Sequence, residues 1–278
     1  MKKNKLVAPI LKWVGGKRQL LETFKPLFLK KFTSYCEPFL GGGAVFFHLQ
    51  PKTAFVNDIN EDLILVYKII RDNVEDLIIE LSKYQNNAEF FYKIRDLDRN
   101  KEKYSILSEI ERAARIIFLN KTCYNGLYRV NNSGEFNTPF GNYKNPNIIN
   151  APVLRAVSKY LNDAEITLTS LDYAEILSNI PKNTFVYLDP PYDPISTTSN
   201  FTGYSKGGFT REDQIRLREC CDNLDGKGIK FMLSNSATDF ILEQYSKYNI
   251  KIIQAKRFIN SVGSGRGNVD EVVIRNYE

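Results

Sequence analysis

The sequence predicts an α/β fold, a largely parallel sheet whose β-α alternation is interrupted by a mostly helical insertion containing a β-hairpin. Apolar β-forming runs alternate with segments of helical periodicity before residue 73 and again after residue 150. Between those limits the alternation stops. The apolar run Thr184-Phe185-Val186-Tyr187-Leu188 ends abruptly in Asp189-Pro190-Pro191-Tyr192, as a buried parallel strand does when it delivers a rigid charged corner to the carboxyl edge of a sheet. The chain therefore reads as a sheet domain in two parts, 1–72 and 151–278, around an insertion at 73–150.

At 278 residues, 43% hydrophobic and 25% charged, the chain can bury a sizeable core. A net charge of +6 and a pI near 8.9 permit a polyanionic partner, and the spread of basic residues means that folding must assemble any binding face. The four cysteines, Cys36, Cys123, Cys220 and Cys221, lack paired C-x-x-C spacing. Reduced thiols in a cytoplasmic protein are expected, with neither a metal site nor a disulfide framework. No stretch approaches the ~18 consecutive apolar residues that span a bilayer. Pro9, Lys12 and Lys17 interrupt any signal-like run after Met1 to Lys5, so no membrane partner is expected.

Lys12-Trp13-Val14-Gly15-Gly16-Lys17 is a tight glycine turn, and the spacing of Arg18 to Phe28 predicts a helix whose N-terminus could hold an anion. A turn with an N-cap explains the same residues. Ser34 to Phe39 is a first strand, followed by Leu40-Gly41-Gly42-Gly43 and a helix over Ala44 to Leu49, which is the opening unit of a nucleotide-binding sheet. The spacing departs from G-x-G-x-x-G, which weakens a dinucleotide reading. His48, the only histidine, lies among phenylalanines and reads as structural. A second strand, Thr53 to Asp58, ends in an acid placed either to accept ribose hydroxyls or to cap the helix Glu61 to Ile70, so an adenosine-like ligand is expected.

In the insertion, helical runs at Val74 to Tyr84 and Ile106 to Leu119 flank the charged segment Arg95 to Lys103. Asn120 to Tyr143 follows, rich in Asn, Gly and aromatics, with a hairpin at Asn132-Ser133-Gly134. It reads as a surface loop or, placed between sheet units, as a substrate-recognition module in which Arg129 is suited to reading guanine. After a helix at Pro152 to Leu161 come a third strand, Glu165 to Thr169, ending near Asp172 and Tyr173, and the fourth strand with its Asp-Pro-Pro-Tyr corner. Asp193 to Thr210, with Phe201, Tyr204 and Phe209 among Ser, Thr and Gly, suits a flap. A helix over Arg211 to Leu224 and strands at Lys230 to Asn235, Ile250 to Ala255 and Glu271 to Arg275 complete the chain, the last two around a polar glycine loop, Ser261 to Asn268.

The corner has a chemical logic beyond its shape. An exocyclic amine of a base is a poor nucleophile because its lone pair is delocalised into the ring, so acceptors must be aimed at its hydrogens. Asp189 offers a carboxylate, Pro190 a carbonyl on a chain that cannot relax, and Tyr192 a flat face for a base taken out of its helix. A strand followed by a Pro-Pro turn is the plainer account.

Six motifs in order, Lys12 to Lys17, Glu37 to Gly43, Asn57-Asp58-Ile59-Asn60, Tyr124 to Arg129, Gly134 to Gly141 and Asp189 to Tyr192, resemble those of the Dam-type DNA adenine-N6 methyltransferases of the D12 class, over nearly the full length. The resemblance implies a Rossmann-like S-adenosylmethionine-dependent methyltransferase sheet with an inserted target-recognition domain. It implies N6 methylation of adenine in double-stranded DNA, with base flipping, within 5′-GATC, in a restriction-modification or Dam-like role. By position, Trp13, Gly16, Lys17, Phe39, Gly41, Gly43, Asp58, Asp172, Tyr173 and Asp189 would hold S-adenosylmethionine. Asp189, Pro190, Pro191 and Tyr192 would form the catalytic set, and Lys12, Tyr124, Asn125, Leu127, Arg129, Pro139 and Tyr143 the DNA-binding set. Tyr128 occupies a variable position. A monomer or weak dimer is expected, and no metal. Rival readings are methylation of a protein glutamine, whose enzymes carry Asn at the place of Asp189 and lack the long insertion, methylation of adenine in RNA, and a non-catalytic DNA-binding protein that senses the cofactor.

Overall fold

The computed structural model describes residues 3–13, 15–195, 208–256 and 268–278. Most of the expected flap, with Phe201 and Tyr204, most of the loop Ser261 to Asn268, and Val14 lie outside the described residues. Seven strands form one sheet: β1 (Ser34–Glu37), β2 (Thr53–Asn57), β3 (Glu165–Thr169), β4 (Thr184–Leu188), β5 (Lys230–Ser236), β6 (Asn249–Lys256) and β7 (Asn268–Arg275). Their spatial order is β3-β2-β1-β4-β5-β7-β6. β1 to β5 run parallel, and β7 pairs antiparallel with both β5 and β6.

The apolar runs of β1 and β4 are buried on both faces, as strands at the centre of a parallel sheet must be. Tyr35, Phe185, Tyr187 and Met232 face one cluster, and Cys36, Val186, Leu188, Phe231 and Leu233 face the other. The strand order reverses between β1 and β4. Such switch points open a crevice beyond the carboxyl ends of the strands, where α/β sheets hold their ligands.

Residues 58–164, between β2 and β3, add no strand to the sheet among the described residues. Helices Val74–Ser82, Ala88–Arg95 and Glu109–Thr122 bury Leu77, Phe91 and Phe118 in the same cluster as Val56 and Leu63. The insertion thus shares a core with the sheet. Its hairpin closes through the Val130–Phe136 bridge and a turn in which the Gly134 amide donates to the Asn131 carbonyl, with Gly134 at φ 83°.

Three departures from the sequence reading have local causes. Arg18 to Phe28 is no single helix: a 3₁₀ turn (Lys17–Gln19) and one α turn (Leu21–Phe24) stop short of Pro26, which cannot continue a helix and disfavours helical backbone before it. Helix Ala88–Arg95, beyond the helical runs expected from the sequence, is capped by the Asn87 side chain. Short helices Tyr173–Ser178 and Asp239–Gln244 follow directly on strands, capped by Asp172 and Thr238.

Candidate functional site

The carboxyl ends of β1, β2 and β4 bring Glu37, Asp58 and Asp189 towards one another, with Lys17 facing them. Lys17 is buried and its ammonium lies 2.9 Å from Asp189 Oδ1, 2.6 Å from the Gly15 carbonyl and 4.6 Å from the centre of the Tyr192 ring. Ser234, at the end of β5, donates to the same Asp189 Oδ1 at 2.8 Å. Among the described residues nothing bonds Asp189 Oδ2 or the Pro190 carbonyl. The Tyr192 hydroxyl donates to Glu271 on β7 at 2.9 Å, and burial with the nearby Asp189 and Glu271 charges keeps that phenol well above its ordinary pKa.

A buried polar network fixes the backbone behind the corner. Gln214 donates to the Pro191 carbonyl at 2.8 Å and accepts from Asn235 at 3.1 Å. Asn235 in turn accepts the Asp193 amide at 3.1 Å, and Ser236 donates to the Asp193 carbonyl at 2.5 Å. Thr238 and Arg211 hold the Asp193 carboxylate at 2.7 and 3.1 Å. None of these supports stood out in the sequence. The signal was the polar run Ser234-Asn235-Ser236 at the tip of the otherwise apolar β5.

On the other side of the switch point the Gly41 amide donates to Asp58 Oδ2 at 2.8 Å, and the Asn60 amide to Oδ1 at 3.0 Å. Burial pushes the Asp58 carboxyl up to about 6, although the Asn60 and Gly41 amides pull it down. Burial also drives Glu37 well above the carboxylate range; the Tyr35 hydroxyl, donating at 2.6 Å, opposes this, and Asp189 adds to it. Asn57, itself buried, ties the loops together by donating to the Pro38 and Leu171 carbonyls and accepting the Leu171 amide.

The glycines are spatially required here. A Cβ at Gly41 would stand 2.8 Å from the Trp13 ring, and one at Gly43 2.8 Å from Phe47; both residues have positive φ. At Gly16 a Cβ would meet the Trp13 carbonyl at 3.0 Å. Phe39, Tyr173 and Phe209 form an aromatic cluster with centroids 5.2 to 6.0 Å apart. Asp172 beside it is committed: Arg216 bonds both its oxygens at 2.9 and 2.6 Å, and the Ala174 amide donates to one. Burial works upward on this carboxyl, and Arg216 overrides it, leaving it below the ordinary carboxylate range.

This pocket suits a cationic, adenosine-bearing cofactor. The Asp189 carboxylate faces one lysine, the glycine turn lets Trp13 pack directly on Gly41 and Gly42, and Asp58 retains acceptor capacity for hydroxyls. His48 packs near Phe28, away from these groups, with its pKa lowered by burial and by Lys3. All four cysteines are free thiols, and no cluster of potential metal ligands occurs among the described residues. No helix among them is long and apolar enough to cross a membrane.

The segment from Tyr124 to Tyr143 presents a second constellation. Tyr124, Asn125, Arg129 and Pro139 are exposed, while Leu127 and Tyr143 are half-buried. Asn125 adopts φ 56° and its amide donates to the Tyr143 hydroxyl at 2.9 Å; Lys12 lies 5.6 Å from the centre of that ring. Arg129 Nε donates to Asn137 Oδ1 at 2.7 Å. Lys121 has its pKa lowered by burial and by repulsion from Lys12 and Arg18, so three cations share this side. Beneath the hairpin the buried Arg115 pairs with Asp98 at 2.7 Å, and Asp98 accepts the Phe136 amide at 2.8 Å.

Comparison with known proteins gives these constellations a family. Residues 13–259 match the model of the D12 class N6 adenine-specific DNA methyltransferases. A type II methyltransferase of Lactococcus lactis subsp. cremoris, M1.LlaDCHI, is 43% identical over 280 aligned residues, covering 100% of this chain and 98% of that protein. A type II methyltransferase of Methanocaldococcus jannaschii, M.MjaIII, is 46% identical, covering 98% and 99%. The DNA adenine methylase of Escherichia coli strain K12 is 35% identical, covering 98% and 95%.

Proposed function

The chain belongs to the D12 class of N6 adenine-specific DNA methyltransferases, and from that premise we infer that it methylates a flipped adenine of duplex DNA at the Asp189 corner, within 5′-GATC. It is an enzyme of adenine methylation whose class depends on S-adenosylmethionine. The observation that carries the finer reading is the division of Asp189: Lys17 and Ser234 both engage Oδ1, and among the described residues Oδ2 is left to a ligand.

Trp13, Gly16, Lys17, Phe39, Gly41, Gly43, Asp58 and Asp189 would hold the cofactor, with Tyr173 at its adenine. Asp172 would serve there through Arg216, since both its oxygens are already engaged. The cofactor supplies a methyl group on a sulfonium, activated by its own leaving group. The protein supplies orientation. Adenine leaves the stack at a cost of a few kcal/mol and rests against the ring of Tyr192. Its N6 hydrogens donate to Asp189 Oδ2 and to the Pro190 carbonyl, which localises the nitrogen lone pair, while Pro191 keeps the corner from relaxing. Because these acceptors are fixed before the substrate arrives, little reorganisation accompanies the reaction.

Arg129 would read a guanine, with Lys12, Asn125, Leu127, Pro139 and Tyr143 around the site and Tyr124 filling the space left in the duplex. Lys12, Arg18 and Lys121 would meet phosphates. The relatives named as type II methyltransferases support a restriction-modification role, and those named DNA adenine methylase a Dam-like one; in either role the enzyme would work on DNA in the cytoplasm. Incubating plasmid with enzyme and S-adenosylmethionine, then digesting with nucleases that differ only in sensitivity to GATC methylation, tests the reading. Protection confined to the sensitive nuclease is expected. Incorporation of tritiated methyl into DNA without such protection would remove the GATC assignment, and incorporation into RNA or protein instead would remove the substrate.

A further inference from the structure

Trp13 is the only tryptophan of the chain and stands in the glycine turn beside Gly41 and Gly42. Its other neighbour is Tyr128, whose ring stacks on it at 4.7 Å between centroids and 23° between planes. Tyr128 lies between Leu127 and Arg129, is buried, and meets the hairpin through Phe136 at 5.7 Å, edge to face. A second tie runs parallel. The fully buried Asn120 accepts the Lys12 amide at 2.9 Å and donates to the Lys12 and Gly126 carbonyls at 2.7 and 3.2 Å.

We propose that Tyr128 is a positioning residue that couples DNA reading to cofactor binding, its ring transmitting the placement of Leu127 and Arg129 to Trp13. The inference rests on the reading of Trp13 as cofactor wall and Arg129 as base reader. One ring touches both the wall of the cofactor pocket and, through the chain, the two reading side chains. Neither surface can shift without the other repacking, because an aromatic stack loses its contacts within an ångström. By linkage, each ligand then strengthens the other by the same factor.

The test uses S-adenosylhomocysteine, which cannot turn over, and Trp13 emission. In the unaltered protein, cognate duplex alone should change the emission and should tighten S-adenosylhomocysteine about tenfold, within the usual range of coupling. Tyr128→Leu, which keeps apolar bulk and removes the stack, should bind each ligand alone with that coupling reduced to about twofold. Tyr128→Phe, which keeps the ring, should retain it. Native coupling in Tyr128→Leu, or emission blind to cognate duplex in the unaltered protein, would overturn the proposal. The second measurement holds even should Tyr128→Leu fail to fold. If S-adenosylhomocysteine alone leaves Trp13 emission unchanged, or Arg129→Ala binds cognate duplex with native selectivity, the underlying site reading falls instead.

Discussion

The proposed catalytic corner and the proposed DNA-reading segment are built in opposite ways. At Asp189 to Asp193 both backbone and side chains are over-determined: Gln214, Asn235, Ser236 and Thr238 fasten the loop, and Lys17 and Ser234 orient the carboxylate. From Tyr124 to Tyr143 the backbone is fastened by Asn120, by the Arg115–Asp98 pair under Phe136 and by the Tyr124 amide donating to Pro139, while the side chains of Tyr124, Asn125 and Arg129 are exposed, that of Arg129 bonded to its neighbour Asn137. Chemistry needs acceptors that do not reorganise, so it is built into a buried network. Reading needs side chains that can be desolvated by a partner, so they stand exposed on a fixed frame.

Substitution at Asp189 tests the first half of that contrast most severely. Asp189→Ala should lower methyl transfer by ~100- to 1000-fold or more, the scale on which one preorganised group counts. It also strands the buried Lys17 ammonium, and unpairing a buried charge costs about 3 to 5 kcal/mol. Turnover and denaturant midpoint should therefore fall together, with Lys17→Met/Asp189→Ala recovering the midpoint and not the turnover. Robust transfer by Asp189→Ala would remove the corner from the mechanism.

Gln214→Leu probes the frame without touching the reacting groups. It leaves the Pro191 carbonyl and the Asn235 amide without their partner, about 1 to 3 kcal/mol for each buried group. Because a shift near 1 Å can cost ~100-fold, kcat should drop by about 10- to 100-fold with little change in KM for DNA. A rise in KM at constant kcat would show that the network serves binding instead.

At the reading face the expected change is smaller and of a different kind. Arg129→Ala should forfeit ~1 to 3 kcal/mol of discrimination between the cognate site and one with its guanine replaced. Stability should move by no more than about 0.5 kcal/mol, since the side chain is exposed. Competition between cognate and substituted duplexes measures the first and thermal unfolding the second. Unchanged selectivity would shift the reading role to another residue.

The same contrast explains what could be read from letters alone. All seven strands were legible, because the apolar runs are short, continuous and bounded by Gly, Pro and Asp, and so was the hairpin, because Asn132-Ser133-Gly134 supplies its turn. Asp189, Asp58 and the Gly41 turn were visible because chemistry-bearing residues at strand tips are few. Their supports were not. Gln214 on a polar helix and Asn120 at the head of an Asn- and Gly-rich run look like solvated residues until the fold buries them, Asn120 in the last turns of the helix Glu109–Thr122, and Tyr128 looked merely variable until its ring was found against Trp13. Long-range hydrogen bonds, such as Asn120 to Lys12 across 108 positions, leave no periodic trace.

Asp58 belongs to both regimes, and pH separates them. Its carboxyl titrates near 6 in the folded chain because it is buried, against about 3.9 when unfolded. The folded state therefore favours the protonated form: this contribution to stability is complete below about pH 4 and is lost as the pH rises through about 6. Cofactor binding should run the other way, because only the carboxylate can accept two ribose hydroxyls while keeping the Gly41 and Asn60 amides. Acidifying from pH 7.5 to about 5.5 should thus weaken S-adenosylmethionine by roughly fourfold, the order expected when about three-quarters of a carboxylate with a pKa near 6 becomes protonated. Over the same interval the difference in stability between the native protein and Asp58→Asn should move in the native protein's favour. Calorimetric titration and paired denaturation curves measure the two slopes, and Asp58→Asn should flatten the binding slope. The helix Glu61–Asp72 is capped by the Asn60 side chain rather than by Asp58, so if cofactor affinity ignores pH while the stability difference responds, Asp58 is a buried anchor for the Gly41 and Asn60 amides and not a ribose ligand.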